Sequence, residues 1–194
     1  MPPSTKTRIL EAAEEIMLAK SFHSVGLNEI LAAVKVPKGS FYHYFESKEQ
    51  FGVELLRHYV DEHTARLRKV LLESQELDPL ERIVAYFNGA VSRMIEGECK
   101  QFCLVGKLGA EVSTFSEPMR TVLVEGMRAW HGIYEELVRE GRAKKVMRKD
   151  LKPAAAAGVI QDMWQGAMQR SNLERSVAPA REAAHFLRGY LASA

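Results

Sequence analysis

Apolar residues recur every three or four positions along most of the chain, which is the spacing of an amphipathic α-helix with one buried face. The first such stretch contains Ile9, Leu10, Ala13, Ile16 and Met17, with glutamates between them. We find no stretch in which apolar and polar residues alternate as they do in a half-buried strand. The pattern therefore predicts an all-α protein of about nine helices, the first three short and the others longer.

Capping and turn residues divide these helices. In the segment Ser47-Lys48-Glu49-Gln50, the Ser47 hydroxyl is expected to accept from the Gln50 amide while the Gln50 side chain reaches back, which forms a capping box. Proline suits the first turn of a helix, as at Pro79 and Pro153. Later helices are expected over residues 79–97, 102–112, 117–141, 153–172 and 178–191.

A short helix-turn-helix is predicted near the N-terminus. Helices over residues 28–34 and 38–45 leave a turn of about three or four residues, the length found in such units. The N-terminal residues of the second helix of such a unit enter the DNA major groove, while other groups bind phosphate. The basic residues around this turn are Lys35, Lys38, His43 and Lys48, and only Glu46 opposes them.

Charge and composition add constraints. The chain has 27 basic and 25 acidic residues, a formal net charge of +2, so a nucleic-acid partner must be argued from a local patch. Residues 1–60 hold seven residues of each sign. No apolar stretch approaches the roughly 20 residues that cross a bilayer, and residues 1–8 lack the apolar core of a signal peptide. We expect a cytoplasmic protein with no membrane partner.

The segment VPKGSFYHYFESKE (residues 36–49) resembles the signature of the TetR family of transcriptional regulators. The resemblance is specific over residues 1–60, and the remaining helices agree with the family in number, order and length. It implies a dimer of all-helical subunits. Each subunit would have a helix-turn-helix DNA-binding domain at residues 1–47 and a ligand-sensing and dimerisation domain at residues 48–194.

The resemblance also implies which residues contact DNA: Asn28, Lys38, Gly39, Ser40, Tyr42, His43 and Lys48. Tyr42 and His43 are expected at phosphates or base edges, and Lys48 at a phosphate. Gly39 would let the backbone approach the duplex closely, because glycine has no Cβ. The expected core of this domain consists of Phe41, Tyr44 and Phe45 with Ile9, Ala13, Ile30 and Leu31.

Two positions depart from the family pattern. Gly26 stands where the family often has a threonine N-cap, and glycine is a weaker cap. Lys35 stands where the family often has glycine in the turn. The turn must therefore accept a side chain at some energetic cost or adopt another conformation.

The segment FCLVGKLGAEV (residues 102–112), followed by SEPMR (residues 116–120), resembles a TetR subgroup that represses genes for detoxifying reductases and responds to reactive electrophiles. In that subgroup a cysteine at the Cys103 position is the sensor. A nearby cation, Lys107 or Lys100, would lower the pKa of the thiol. Cys99 would resolve a sulfenic acid only if the helix is broken there, since cysteines one turn apart on a regular helix are poorly placed for a disulfide.

Other interpretations of Cys103 remain open. Free cysteine is commonly a small buried apolar residue. A metal site at Cys99 and Cys103 lacks a second ligand pair with suitable spacing, so no metal and no cofactor are predicted.

The resemblance places an inducer pocket and a dimer interface in the second domain. Trp130, Trp164 and Met168 are candidates to line the pocket, and the alternative is that they are ordinary core residues. The last two helices carry small and apolar faces. They would pair across a two-fold axis in a four-helix bundle, which implies a palindromic operator.

The sequence thus predicts a DNA-binding transcriptional regulator, a repressor released from its operator by a small molecule or an electrophile, and not an enzyme. One alternative is a helical adaptor that has lost DNA binding, which the neutral charge of residues 1–60 favours. Another is a thiol-dependent enzyme that uses Cys103, although no acid–base partner lies near it in the sequence.

Overall fold

The computed structural model describes residues 3–74, 76–97 and 103–193. Within these ranges it contains nine α-helices and no strand, apart from an isolated backbone bridge between Met147 and Ala192. The all-α prediction is therefore confirmed. The helices are α1 (Thr5–Ala19), α2 (Leu27–Ala33), α3 (Phe41–Tyr44), α4 (Lys48–Arg68), α5 (Pro79–Glu96), α6 (Leu104–Val112), α7 (Glu117–Ala143), α8 (Pro153–Glu174) and α9 (Ala178–Leu191).

The described residues form two compact packing units. The first comprises those of residues 1–62 and 103–126, and the second those of residues 63–102 and 127–194. Helix α6 and the start of α7 thus pack with the N-terminal helices. This grouping differs from the expected domains 1–47 and 48–194, which stay a prediction because packing units need not coincide with domains of separate function.

The core of the first unit follows the predicted apolar pattern. The aromatic rings of Phe41, Phe45 and Phe51 pack together with centroid separations between 5.0 and 5.5 Å. Ile9, Ala13, Ile30 and Leu31 in the same unit are also buried, as predicted. Tyr44 is only half-buried, so its assignment to the core is wrong in part. As the last residue of the short helix α3, it has a face at the surface.

Helix α4 begins as the capping residues indicate, but only half of the capping box forms. The Gln50 backbone N–H donates to the Ser47 Oγ at 3.0 Å, as predicted. The Gln50 side-chain amide donates instead to Glu54, one turn further along α4, so the expected bond back to Ser47 is wrong. The helix ends in a π-helical turn at Lys69–Glu73, which the sequence pattern did not predict.

Within the second unit, a buried arginine on α5 connects the π-helical turn to α7. The Arg82 side chain on α5 is 1% exposed and donates from Nη1 to the Leu71 carbonyl in the π-helical turn at 2.7 Å. Its Nη2 donates to the Glu140 carboxylate on α7. Burial raises the pKa of Glu140, but the hydrogen bonds from Lys144 and Arg82 outweigh it, so the net pKa of this carboxyl is lowered. The Glu140 carboxylate that accepts from Arg82 is therefore ionised at neutral pH.

Lys35 lies in the turn between α2 and α3 with a φ of 58°, the left-handed region that favours glycine. The turn thus accepts a side chain at an energetic cost. We expect Lys35→Gly to be more stable than Lys35→Ala by about 1 kcal/mol, because alanine keeps the steric penalty of a Cβ at positive φ and glycine removes it. Urea unfolding of the two variants measures this difference, and equal midpoints and slopes would contradict it.

Candidate DNA interface and sensor site

The predicted DNA-reading segment is a 3₁₀ turn at Lys38–Ser40 that runs directly into α3. Phe41 and Phe45 are both 1% exposed, and they anchor this segment to the core. Since residues four apart lie on one face of a helix, the residues between these two anchors point elsewhere. Tyr42 and His43 accordingly lie at the surface, and the Tyr42 side chain is 62% exposed.

The segment brings most of the predicted DNA contacts together on one exposed stretch. Lys38 and Gly39 are exposed, Ser40 is half-buried, and Asn28 is exposed on α2. A Cβ built at Gly39 would meet no other atom within 4 Å. Nothing inside the protein therefore requires glycine there, which is compatible with the predicted close approach to an outside partner.

Two hydrogen bonds to backbone carbonyl groups hold the helix-turn-helix in place. The Arg8 guanidinium on α1 donates to the Val34 carbonyl at the end of α2 at 3.0 Å, and the Val36 N–H donates to the Leu31 carbonyl at 2.9 Å. At the other end of α2, Gly26 is the N-cap and supplies no side-chain hydrogen bond, as its residue type predicts.

Lys48 lies on the other side of the segment and already has partners within the protein. Its Nζ donates to the Val25 carbonyl at 2.9 Å and to the His23 carbonyl at 3.4 Å, and it lies 5.2 Å from the centroid of the Phe22 ring. An ammonium has three N–H donors. The predicted phosphate contact of Lys48 would therefore use the third.

Cys103 is the N-cap residue of α6 and is half-buried as a free thiol. Its predicted companions Cys99 and Lys100, and Phe102 beside it, lie outside the described residues. The hypothesis of a resolving cysteine therefore stays a prediction.

Tyr59 is a neighbour of Cys103 that the sequence analysis missed. Its hydroxyl is in hydrogen-bond contact with the Cys103 thiol and with the Leu104 backbone, and burial followed by the charge of Cys103 raises the pKa of Tyr59 well above its usual range. The phenol is therefore protonated at any physiological pH and can donate a hydrogen bond to a thiolate. Tyr59 falls on the buried face of α4, but no local pattern links it to a partner 44 positions along the chain.

Lys107 has a contact that the sequence analysis did not predict. Its Nζ donates to the Leu18 carbonyl near the end of α1 at 2.5 Å. Burial lowers the pKa of Lys107, and the nearby Glu111 carboxylate opposes that shift in part. The described contact of this ammonium is thus with α1, and its effect on the thiol of Cys103 stays a prediction.

Glu111, one turn beyond Lys107, is a second residue that the sequence analysis missed. Its carboxylate accepts from the backbone N–H groups of Phe22 and His23, both at 3.0 Å, and contacts the His23 ring Nδ1 at 2.9 Å. Burial raises the pKa of Glu111, but the hydrogen bonds from His23 and Phe22 outweigh it and lower the net pKa of this carboxyl.

The predicted pocket residues belong to the second unit. The Trp130 Nε1 donates to Thr64 Oγ1 at 2.8 Å and its ring lies 4.6 Å from the ring of His63, while Trp164 stacks on Phe87 at 4.3 Å. Both tryptophans are buried, which agrees with the core alternative, and Met168 is half-buried. Burial, assisted by Arg66 and Arg93, lowers the pKa of His63 to about 4. The role of Trp130, Trp164 and Met168 in binding an inducer stays a prediction.

A cavity of about 240 Å³ lies elsewhere in this unit, beside the π-helical turn. The residues that line it are Lys69, Val70, Ser74, Leu77, Arg82 and Ala85.

Large apolar side chains are exposed on the last two helices. They include Val159 and Leu173 on α8 and Phe186 on α9, and Leu173 is 75% exposed. The Phe186 and Tyr190 rings stack nearly parallel with centroids 6.2 Å apart. In the described part of the chain, no helix is both long and apolar enough to span a bilayer.

Similarity to known proteins covers both ends of the chain. Residues 9–55 match the family model "Bacterial regulatory proteins, tetR family", and residues 79–187 match "Tetracyclin repressor-like, C-terminal domain". The transcriptional repressor NemR of Escherichia coli is 35% identical over 97% of this chain and 94% of its own length. The repressor DhaR of a Mycobacterium species is 32% identical over 90% of this chain and 85% of its own length.

Solved structures agree with this result. The crystal structure of the reduced form of E. coli NemR superimposes with a TM-score of 0.87 at 32% identity, and covers 98% of both chains. A regulatory protein TetR from Rhodobacter sphaeroides gives a TM-score of 0.88 at 32% identity, over 95% of this chain and 97% of its own. The chain therefore belongs to the TetR family of DNA-binding transcriptional regulators.

Proposed function

We propose that the protein is a dimeric repressor that binds a palindromic operator through the segment from Lys38 to His43 and leaves it when an electrophile reacts with Cys103. The observation that carries the proposal is the contact of the half-buried Cys103 thiol with the Tyr59 hydroxyl, at the start of a helix that is bonded to the DNA-binding region. The relatives named above are called repressors, which supports repression rather than activation.

The proposed reaction needs no oxidant. A Cys103 thiolate adds to the β-carbon of an α,β-unsaturated carbonyl compound, a carbon–sulfur bond forms, and the electron pair of the carbon–carbon double bond takes a proton from water. The thiolate is the reactive form, and a hydrogen bond from the protonated Tyr59 hydroxyl stabilises it. That a NemR structure is described as the reduced form supports chemistry at sulfur in that relative.

The adduct must interact differently with two arrangements of the subunit if it is to change operator affinity. We propose that the unmodified protein favours the arrangement whose two DNA-binding segments match the half-site spacing, and that the adduct favours another. The two heads of a symmetric dimer read two half-sites, so the operator is expected to be palindromic. A function in transcription supports a cytoplasmic location, and regulation rather than catalysis is the proposed role of Cys103.

The test of the sensor is Cys103→Ser. In a gel shift at fixed salt, N-ethylmaleimide is expected to weaken operator binding of the unaltered protein by about tenfold or more, the size of a typical allosteric coupling. Cys103→Ser should bind the operator as tightly and no longer respond. Cys99→Ser is the matched control, and it should respond as the unaltered protein does. A response that persists in Cys103→Ser would contradict the sensor role of Cys103 and point to another nucleophile such as Cys99, whereas no response in the unaltered protein would favour a non-covalent inducer.

The proposed dimer interface is the exposed apolar surface of α8 and α9. Phe186→Glu is expected to convert the dimer to a monomer at micromolar concentration, because a buried unpaired carboxylate in a subunit interface is strongly unfavourable. Sedimentation velocity measures the change. Ile95→Glu is the control, since Ile95 is also a large exposed apolar residue of the same unit but lies on α5. If both variants remain dimers, the interface lies elsewhere.

A further inference from the structure

Four hydrogen bonds join α6 to the last turn of α1 and to the connection between α1 and α2. We propose that these bonds, here called the corner latch, carry the state of Cys103 to the DNA-binding segment. The corner latch consists of Lys107 and Glu111 on α6 with Leu18, Phe22 and His23 at the end of α1 and beyond it. The inference rests on the proposed function for the nature of the signal, but the latch itself is defined by the contacts alone.

Lys107 and Glu111 supply hydrogen-bond partners to backbone groups in the last turn of α1 and beyond its end. The Leu18 carbonyl belongs to the last turn of α1, where carbonyl groups have no partner within the helix, and the Lys107 ammonium donates to it at 2.5 Å. Phe22 and His23 lie beyond the helix, and both of their backbone N–H groups donate to the Glu111 carboxylate at 3.0 Å. A cation thus binds the carbonyl end of α1, and an anion binds the free amides that follow it.

We expect the contacts of Glu111 to be stronger than those of the more exposed ion pairs, although the His23 side chain is itself 64% exposed. Hydrogen bonds that involve a charged group are shorter and stronger than neutral ones. Glu111 accepts three at once from two consecutive residues, and its side chain is only 23% exposed. By contrast, the ion pair of Arg57 with Glu125 in the same unit has a separation of 3.9 Å between two side chains that are both more than half exposed.

The latch lies on the helix that begins directly after Cys103. Lys107 and Glu111 are one turn apart on one side of α6, and Cys103 is the N-cap residue of that helix. The Lys107 backbone N–H also donates to the Cys103 carbonyl at 3.0 Å, which makes Cys103 part of the first turn of α6. A shift or rotation of this turn therefore moves the two latch side chains with it.

At its other end, the latch holds the segment that positions α2. The connection held by Glu111 is also held from α4, because Lys48 donates to the His23 and Val25 carbonyls. Helix α2 begins two residues after Val25 and carries the candidate DNA contact Asn28. A change in α6 thus reaches the helix-turn-helix over a short path of direct hydrogen bonds.

The test compares Glu111→Gln with Glu125→Gln. The glutamine at position 111 keeps the size of the side chain but removes its charge and half of its acceptor capacity. The operator dissociation constant is measured by fluorescence anisotropy with and without N-ethylmaleimide, and amide hydrogen exchange is followed at Phe22 and His23. Lys107→Met is a second variant that breaks the latch at its other contact, and far-UV circular dichroism checks that each variant is folded.

We expect alkylation to speed exchange of the Phe22 and His23 amides in the unaltered protein. In Glu111→Gln, the ratio of the two dissociation constants should fall to about a third of its normal value or less, within the range of allosteric couplings. Glu125→Gln should keep the normal ratio. The latch is overturned if Glu111→Gln and Lys107→Met both keep this ratio within about twofold of normal.

The result also separates the latch from the sensor. If N-ethylmaleimide leaves operator binding of the unaltered protein unchanged, the proposed sensor is wrong. The latch is then judged on the unmodified proteins. A change of about fivefold or more in the operator affinity of Glu111→Gln relative to Glu125→Gln supports it, and equal affinities overturn it.

Discussion

Replacement of both Lys38 and Tyr42 by alanine is expected to abolish specific operator binding while the fold and the dimer persist. Both side chains are exposed at the tip of the helix-turn-helix, where the buried Phe41 and Phe45 fix their direction. Loss of a single contact to a base or a phosphate costs about 1–3 kcal/mol. A dimer loses each contact twice, so the combined loss is expected to exceed a hundredfold in affinity.

Fluorescence anisotropy at several fixed salt concentrations tests this prediction, because phosphate contacts determine the salt dependence of binding. Lys38→Ala alone should make the dependence on salt less steep, and Tyr42→Phe separates the hydroxyl from the ring. Lys149→Ala is the control, an exposed lysine of the second unit far along the chain from the interface. Binding by the double variant within about threefold of normal would show that another surface reads DNA and would favour the adaptor hypothesis.

Glu140→Ala is expected to lower the free energy of unfolding by about 3 kcal/mol or more. The Arg82 guanidinium is almost fully buried, and Glu140 supplies the charge that balances it. Without Glu140, only the Leu71 carbonyl still accepts from Arg82 among the contacts described here. Removal of one partner of a buried ion pair leaves an uncompensated charge, which is more costly than the loss of an exposed pair.

Glu136→Ala on the same helix is a matched control, because Glu136 pairs with Arg68 at 3.8 Å and both side chains are more than half exposed. Its effect is expected to stay below about 1 kcal/mol. Urea unfolding monitored by circular dichroism gives both values. Arg82→Met combined with Glu140→Ala should recover part of the loss, since the double variant no longer buries an unpaired charge. If the two glutamate variants are equally stable, Arg82 does not depend on this pairing.

The sequence predicted helices well where periodicity and end residues agree. The last helix was expected over residues 178–191 and is found as Ala178–Leu191, and α5 begins at Pro79 as expected, where the structure shows Asp78 as the N-cap. These features depend on residues close together in the chain. Comparison with the family pattern left two outcomes open at Lys35, and the positive φ shows that the turn accepts the side chain at a cost.

Contacts between distant positions were not predicted, because residue spacing carries no information about them. The hydrogen bonds of Glu111 reach back 88 and 89 positions, and the contact of Arg82 with Glu140 spans 58. A charged residue within an apolar pattern departs from the pattern, but the pattern does not identify the residue that it contacts. The effect of Lys107 on the thiol stays a prediction, and residue spacing could not predict the contact of its ammonium with the Leu18 carbonyl in the last turn of α1.

The open space around Gly39 means that the requirement for folding and the requirement for DNA binding can be measured separately at this position. A Cβ there meets no atom of the protein within 4 Å, so small side chains are compatible with folding. A library of substitutions at Gly39 should pass a screen for thermal stability nearly unchanged. The same library should lose members in a screen for operator occupancy, and the size at which they fail would measure how closely the duplex approaches the backbone.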